Sequence, residues 1–588
     1  MENMNKLDDL DRSGRLMIIV LALIESLLML LAHDGIEDGW APFTSTLGRT
    51  LWFSLGIALP LVAALLLKTG RDVYALLATA VVALLLLPLA WHTGNACLLH
   101  GPVECSLLFM PYVFALIAGL FILLPYLQSG RDYGWRSPYA ELFHHAWDNF
   151  LVIAATALFT GAGWLILVLW AGLFDVIGID FFKVLFKSRH FIYPVTGLFA
   201  GFGLMLARTQ RGALRSVLKV LLALGRGLLP LISILAVVFL IALTFTGLQQ
   251  LWATRHAASL LLSLILFSVV LINAAFQDGA GPAPASVLRN IVTAALLTLP
   301  IYAVISAIAL QLRIAQYGWS VDRLWAAWFT GVALLYAGSY AFAVFSREPW
   351  LGRIASANKI IALLIAGSLL LTQSSLLDFR RITLNSQLAQ LDKGVVTLEK
   401  FDLAYLRWDL GQPGYEALQA LSRDARVKAA PDMAKRIQQL LEAKNRWDSR
   451  EHAAFTAEDF MILPKGTALP EGVLTALNEK QKHRVFAADQ CASKAKSCAL
   501  LAVDLNNDAQ PEWVLVNTEN GGSDLLVLGL RNGNWQQIGN LRGTGDYKRV
   551  QAVLKTLQDA AISTESPRWK DLRIDQVLFH FQPWEQPP

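Results

Sequence analysis

Residues 1–377 alternate between long apolar stretches and short polar segments. A helix needs about 20 mostly apolar residues to cross the hydrocarbon core of a bilayer. Eleven stretches approach that length, at residues 16–32, 50–67, 73–91, 107–127, 149–174, 191–207, 228–247, 257–276, 287–312, 323–345 and 357–377. The pattern predicts an all-α polytopic transmembrane bundle of about 11 helices. Because the first stretch is followed by His33, Asp34 and Glu37 and not by a small-residue cleavage site, we interpret it as an uncleaved anchor.

The pattern changes directly after residue 377. Amphipathic periodicity predicts helices at 383–392, 397–425 and 431–446. Further on, short apolar or alternating runs predict strands at 499–503, 513–517, 524–530 and 535–538, then a helix near 546–560 and a strand near 573–580. We therefore expect a transmembrane domain at 1–377, a helical membrane-proximal segment at 378–450 and a C-terminal α+β soluble domain at 451–588.

The distribution of charge supports this boundary. Of the 95 Asp, Glu, Lys and Arg residues, 54 lie at positions 378–588 and only 41 in the much longer part at positions 1–377. Soluble domains carry roughly 25% charged residues, a share that the last part reaches and the first part does not, so a soluble fold is excluded for the first part only. The last part holds 27 basic and 27 acidic residues, so the net charge of +5 belongs to the membrane part. This excess of positive charge indicates basic loops beside membrane lipids, and we expect no nucleic-acid partner.

The loops between the apolar stretches predict an orientation. With the N-terminus inside, the cytoplasmic segments contain 16 Lys and Arg residues and the opposite loops contain 7. This excess follows the positive-inside rule. Together with an odd number of spans, it predicts a bacterial inner-membrane protein with a cytoplasmic N-terminus and a periplasmic C-terminal domain.

The four cysteines form two close pairs, Cys97 with Cys105 and Cys491 with Cys498. The predicted topology places both pairs on the outer side, where an oxidising periplasm preserves disulfides. We therefore expect two disulfides that close small loops. The alternative is four unrelated small hydrophobic residues.

Residues 208–226 form the most basic segment of the membrane part. Arg211, Arg215 and Lys219 recur every four residues, so they share one face of a helix. Such a helix is expected to lie in the membrane interface with its cations at anionic lipid headgroups. The alternative is a loop that only holds the orientation.

Few ionisable side chains lie inside the spans. Glu25 lies near the middle of the first span, where a charged carboxylate costs free energy to bury in lipid. It is therefore a candidate for proton coupling or for pairing with a buried cation. The alternative is a protonated or hydrogen-bonded packing residue. Asn273 is expected to join neighbouring helices by hydrogen bonds, and the small-residue spacing of Gly197 and Gly201 predicts close helix packing.

One loop of the tail offers candidate metal ligands at alternate positions, namely Asp504, Asn506, Asp508 and Glu512. Calcium requires several oxygen ligands that a tight turn can bring together. The spacing resembles the calcium loops of β-propeller and integrin-like repeats, but Ala509 replaces the usual glycine. Leu515 stands where an EF-hand has its bidentate glutamate, which excludes an EF-hand. Calcium is thus the one candidate cofactor, and the alternative is an Asx-rich turn without metal.

Several polar motifs of the chain resemble those of a known family. They are Gln316-Tyr317-Gly318-Trp319, Asp322-Arg323, Asn385-Ser386-Gln387-Leu388, Phe401-Asp402 with Tyr405 and Arg407, and the glycines Gly411 and Gly414. Over about residues 148–414 the chain resembles the bacterial integral-membrane family known as domain of unknown function 4153. The resemblance implies a polytopic inner-membrane protein, assigns no activity or catalytic residues, and leaves the function open.

Three classes of function stay open. The chain has no Gly-x-Ser-x-Gly elbow, no His-Glu-x-x-His zinc motif and no phosphate-binding Gly-x-x-x-x-Gly-Lys loop. This shortage favours a non-enzymatic envelope protein that presents a periplasmic binding or sensing domain to a periplasmic or envelope protein. Eleven spans also suit a transporter or lipid-handling protein. A membrane enzyme acting on lipid-linked substrates is the third alternative, with only the loops near Asp175 and Asp180 to suggest it.

Overall fold

The computed structural model describes most of the chain. The described residues are 10–97, 106–254, 256–279, 286–345, 351–443, 446, 455–482, 498–517, 524–531, 533–542, 572–574 and 577–579. The chain divides into two compact units, residues 1–449 and 450–588.

The first unit begins with the membrane helices. Eleven helices among the described residues are long and apolar enough to cross a membrane, which confirms the predicted bundle. They are α1 Arg12–Glu37, α2 Thr46–Leu66, α3 Val73–Asn95, α4 Ser106–Tyr133, α5 Tyr139–Val176, α7 Arg189–Thr209, α8 Arg211–Thr246, α10 Ala257–Phe276, α11 Ser286–Tyr317, α12 Val321–Val344 and α13 Ile354–Leu371. The short helices α6 Phe181–Leu185 and α9 Gln249–Ala253 lie between them.

The predicted basic helix is present: residues 211–226 form the first turns of α8, which continues directly into the apolar span. Its position in the membrane interface stays a prediction. Helix α8 runs unbroken for 36 residues, about 54 Å at the rise of an α-helix. Leu218, Leu222 and Leu229 are buried at helical spacing on both sides of residue 228, where the predicted span begins. Since one face packs along the whole length, the apolar span and the basic segment remain a single helix.

The glycines of α7 allow a close approach to α1, as their spacing predicts. A Cβ atom on Gly197 would lie 2.2 Å from Ser26 Oγ, and one on Gly201 would lie 2.9 Å from the Cα of Ile19. A larger residue at either position would therefore require α1 or α7 to move. Close packing of these two spans is therefore confirmed.

Five further helices follow the last span, namely α14 Phe379–Asp392, α15 Leu403–Asp409, α16 Gly411–Leu421, α17 Ala425–Lys428 and α18 Pro431–Glu442. The single helix predicted at 397–425 is wrong. Asp402 caps the start of α15 by accepting a hydrogen bond from the Tyr405 N–H (2.9 Å). Gly411, which follows the end of α15, has a positive φ of 64°. These helices pack around buried Leu403, Leu406 and Leu418.

The second unit contains a five-stranded sheet in the order β1-β2-β3-β4-β5. Its elements are β1 Phe460–Leu463, α19 Glu471–Lys482, β2 Cys498–Val503, β3 Glu512–Asn517, β4 Asp524–Arg531 and β5 Asn534–Arg542. β1 and β2 are parallel, with Phe460 opposite Cys498, and the later pairs are antiparallel. The four predicted strands and the α+β class are confirmed, whereas α19 and β1 were not predicted.

The strand predicted near 573–580 is wrong in one respect. Two short strands, β6 Leu572–Ile574 and β7 Val577–Phe579, pair antiparallel there. Asp575 and Gln576 interrupt the apolar run between them. The helix predicted near 546–560 lies outside the described residues.

Candidate functional site

The predicted metal loop connects β2 and β3, and its side chains face one another. Asp504 accepts hydrogen bonds from the backbone N–H groups of Asn507 (2.7 Å) and Ala509 (3.0 Å). The Nδ2 atom of Asn506 lies 2.9 Å from Asp508 Oδ2 and 3.0 Å from Glu512 Oε1. The structure thus brings all four predicted ligands into one loop.

The turn forms without the usual glycine. Ala509 has a positive φ of 64°, the left-handed conformation that a glycine adopts most readily. Hydrogen bonds within the loop already satisfy its carboxylates, and Glu512, only 6% exposed, also accepts the Leu505 N–H (2.8 Å). Among the described residues, no three His, Cys, Asp or Glu side chains converge as a metal site. Calcium binding by this loop with the Asn506 amide stays a prediction.

A groove of about 250 Å³ lies beside this loop. One wall comes from the β2–β3 loop and the other from the β4–β5 hairpin, and the lining includes Asp508, Glu512, Leu530, Arg531, Trp535 and Ile538. Leu530 is 46% exposed and Ile538 36% exposed. The groove therefore combines accessible apolar surface with carboxylates and one guanidinium, which suits reversible binding of a partner.

Sequence reasoning did not identify this groove. Its two walls come from separate segments of the chain, and antiparallel pairing of β3 with β4 places them side by side. The register pairs Trp513 with Leu528, which brings Glu512 near the end of β4. The apolar residues Leu530 and Ile538, on the two strands that flank the β4–β5 turn, were the available signal.

The two intramembrane candidates differ in their surroundings. Glu25 is half-buried in α1, and no hydrogen bond or ion pair joins its carboxylate to another described residue. Asn273 donates to Tyr340 Oη (2.7 Å) and accepts from Asn358 Nδ2 (2.6 Å), and Asn358 also donates to Tyr139 Oη (2.9 Å). The Asn273 network joins α5, α10, α12 and α13, whereas the role of Glu25 stays a prediction.

The remaining predicted residues lie apart from the groove site. Arg215 and Lys219 are exposed on α8 and Arg211 is half-buried, so their contact with lipid headgroups stays a prediction. Cys97 and Cys498 are buried. Their predicted partners Cys105 and Cys491 lie outside the described residues, so the two disulfides also stay predictions.

A polar junction fastens the helices after the last span to the C-terminal ends of α3 and α11. Gln387 Nε2 donates to the Trp319 carbonyl (2.7 Å), and Ser386 Oγ accepts from the Trp319 N–H (3.1 Å). Gly318, at φ 70°, leaves the space that the Gln390 amide fills, since a Cβ there would lie 2.2 Å from Gln390 Nε2. The family-like motifs thus meet one another in space.

The same junction contains a buried ionic cluster. Asp378, 4% exposed, lies 3.0 Å from His92 Nε2 and 2.9 Å from Arg380 Nε. Burial alone would raise the pKa of this carboxyl. The hydrogen bond with His92 and the charge of Arg380 outweigh that effect and hold the pKa well below its usual range. Sequence reasoning missed this cluster because His92 lies far from Asp378 and Arg380 along the chain.

Comparison with known families gives one match. A family model described as "Domain of unknown function (DUF4153)" matches residues 16–421, so the resemblance seen over about 148–414 extends across all eleven spans. Comparisons with curated proteins and with solved structures give no match.

Proposed function

The chain belongs to the DUF4153 family, and we propose that it acts as a non-enzymatic envelope protein whose membrane bundle carries a binding domain on the outer side of the inner membrane. In this proposal residues 1–377 form the membrane domain, residues 378–450 form a membrane-proximal helical layer, and residues 451–588 bind a periplasmic or envelope protein. The chain has many apolar helices and is a membrane protein; its partner and orientation are the proposed part.

The groove beside the β2–β3 loop is the observation that carries this proposal. Leu530 and Ile538 expose apolar side chains to solvent, which a bound partner would cover. Asp508 and Arg531 add charged groups in the same groove. A buried apolar anchor surrounded by polar contacts is the usual composition of a protein-binding site. The excess of 16 over 7 basic loop residues supports the outward orientation of this unit.

Site-specific photo-crosslinking in cells tests the proposal. A photoreactive phenylalanine analogue at Leu530 is expected to form a discrete crosslinked product, because that side chain lines the groove. The same analogue at Leu541 is the matched control, since Leu541 is 41% exposed on β5 but does not line the groove. Equal products from both positions, or none from either, would contradict a partner in the groove.

A further inference from the structure

A second groove, of about 480 Å³, lies in the membrane unit at the start of α1. It is lined by Asp11, Ser13, Leu16, Met17, Val20, Thr69, Gly70 and Arg71. Its polar residues come from the start of α1 and from the α2–α3 connection. Its apolar residues all come from the first turns of α1. The groove therefore has a polar end and an apolar wall.

Backbone contacts hold the two sides of the groove together. The Gly70 N–H donates to Ser13 Oγ (2.9 Å), and the Asp11 N–H donates to the Lys68 carbonyl (3.4 Å). A Cβ atom on Gly14 would lie 2.7 Å from that same carbonyl oxygen, so the approach of the two segments requires a glycine. The polar end is thus formed in advance of any ligand.

Two opposite charges are available at the polar end. The hydrogen bond from the Ser13 hydroxyl, and then the one from the Gly14 N–H, lower the pKa of Asp11, so this exposed residue is a carboxylate at neutral pH. Arg71 is exposed and has no ion pair or hydrogen bond with another described residue. Its neighbour Asp72 is paired with a different arginine, since Asp72 Oδ2 accepts from Arg131 Nη2 (2.8 Å).

The apolar wall continues along the span. Leu16, Val20, Ile24, Leu27 and Leu31 form one stripe of α1 and are 59%, 44%, 44%, 48% and 41% exposed. Helical spacing of three and four residues places them on the face of α1 that other helices leave uncovered. An acyl chain that starts at Leu16 can follow this stripe into the bilayer, where such a surface is covered by lipid.

We propose that this groove binds phosphatidylethanolamine, with the phosphate at Arg71, the ammonium at Asp11 and one acyl chain along the exposed stripe of α1. A guanidinium donates paired hydrogen bonds to a phosphate, and a carboxylate accepts from a primary ammonium group. Phosphatidylcholine has no N–H to donate, and phosphatidylglycerol has no cation. The two charges of the groove therefore distinguish this lipid from both of the others.

Native mass spectrometry of the full chain in detergent, with the three lipids bearing identical acyl chains, tests the proposal. We expect the dissociation constant for phosphatidylethanolamine to be about tenfold below that for phosphatidylcholine, the effect of one charged hydrogen bond. Arg71→Gln is expected to weaken phosphatidylethanolamine binding about tenfold for the same reason. Asp11→Asn preserves the helix cap, since asparagine caps as well as aspartate, and should remove the preference over phosphatidylcholine.

Arg12→Gln is the matched control. Arg12 is exposed next to Asp11 but does not line the groove, so its replacement should leave the lipid preference unchanged. Equal retention of phosphatidylethanolamine and phosphatidylcholine by the unaltered chain would overturn the proposal. An equal loss of binding in Arg12→Gln and Arg71→Gln would also overturn it, because general surface charge would then explain the binding.

Discussion

Replacing Arg407 by alanine is expected to lower the opening free energy of α18 by about 3 kcal/mol, which makes its amides exchange about a hundredfold faster. Arg407 is only 4% exposed. Its Nε donates to the Leu440 carbonyl (2.9 Å) and its Nη2 to the Ala443 carbonyl (3.0 Å), at the end of α18. Its guanidinium also lies 4.2 Å from the centre of the Trp408 ring. Removing the side chain leaves buried carbonyls without a donor and leaves a cavity.

Hydrogen exchange of residues 431–442, followed by mass spectrometry, measures this effect. Arg426→Ala is the control, because Arg426 is an exposed arginine of the same helical layer with ion pairs to Asp392 and Asp424. Exposed ion pairs contribute little to stability, so this variant should exchange like the unaltered chain. Unchanged exchange in Arg407→Ala, or equal acceleration in both variants, would show that Arg407 does not secure α18.

Replacing Asp378 by asparagine is expected to destabilise the first unit by about 3 kcal/mol at pH 7, the cost of breaking a buried ion pair. Asparagine preserves the cap of α14, where Asp378 Oδ1 accepts the Arg380 N–H (2.9 Å). The loss of stability therefore measures the contribution of the Asp378 negative charge, which faces His92 and Arg380. Thermal unfolding of the full chain in detergent, followed by its tryptophan fluorescence, measures it.

The stability difference between the unaltered chain and Asp378→Asn is also expected to depend on pH. Because the folded state lowers the pKa of Asp378, this carboxyl contributes stability above the unfolded pKa of about 3.9 and loses it as the pH falls further. The difference in stability between the unaltered chain and Asp378→Asn should stay constant from about pH 7 to 5 and shrink below about pH 4. A difference that does not change down to pH 3 would contradict the lowered pKa.

The membrane helices could be predicted from the sequence because length and apolarity alone determine which segments can cross a bilayer. The break between α15 and α16 was missed because the periodic leucines outweighed a local signal, the sequence Gly411-Gln412-Pro413-Gly414, in which glycine and proline disfavour a continuous helix. The continuity of α8 was also missed. The sequence analysis treated the basic segment and the span at 228–247 individually, whereas the buried stripe from Leu218 to Leu229 depends on neighbouring helices.

The candidate site was predictable only in part. The alternate oxygen ligands from Asp504 to Glu512 are local in sequence, so their convergence follows from the turn itself. The groove beside them depends on the pairing of β3 with β4, which brings together residues from two separate segments of the chain. The Asp378 cluster likewise needs α3 and the start of α14 to meet, and a single His92 gives no sign of its partner.

We propose that the strand-rich unit lies on the periplasmic side of the membrane and the N-terminus on the cytoplasmic side. Alkaline phosphatase is active only in the periplasm and green fluorescent protein fluoresces only when it folds in the cytoplasm, so fusions of each after Pro588 test the claim directly. Fusions after Gln210, between α7 and α8, give the internal control for the opposite side. We expect active phosphatase and no fluorescence after Pro588, with the reverse after Gln210. Bright fluorescence with inactive phosphatase after Pro588 would contradict the claim.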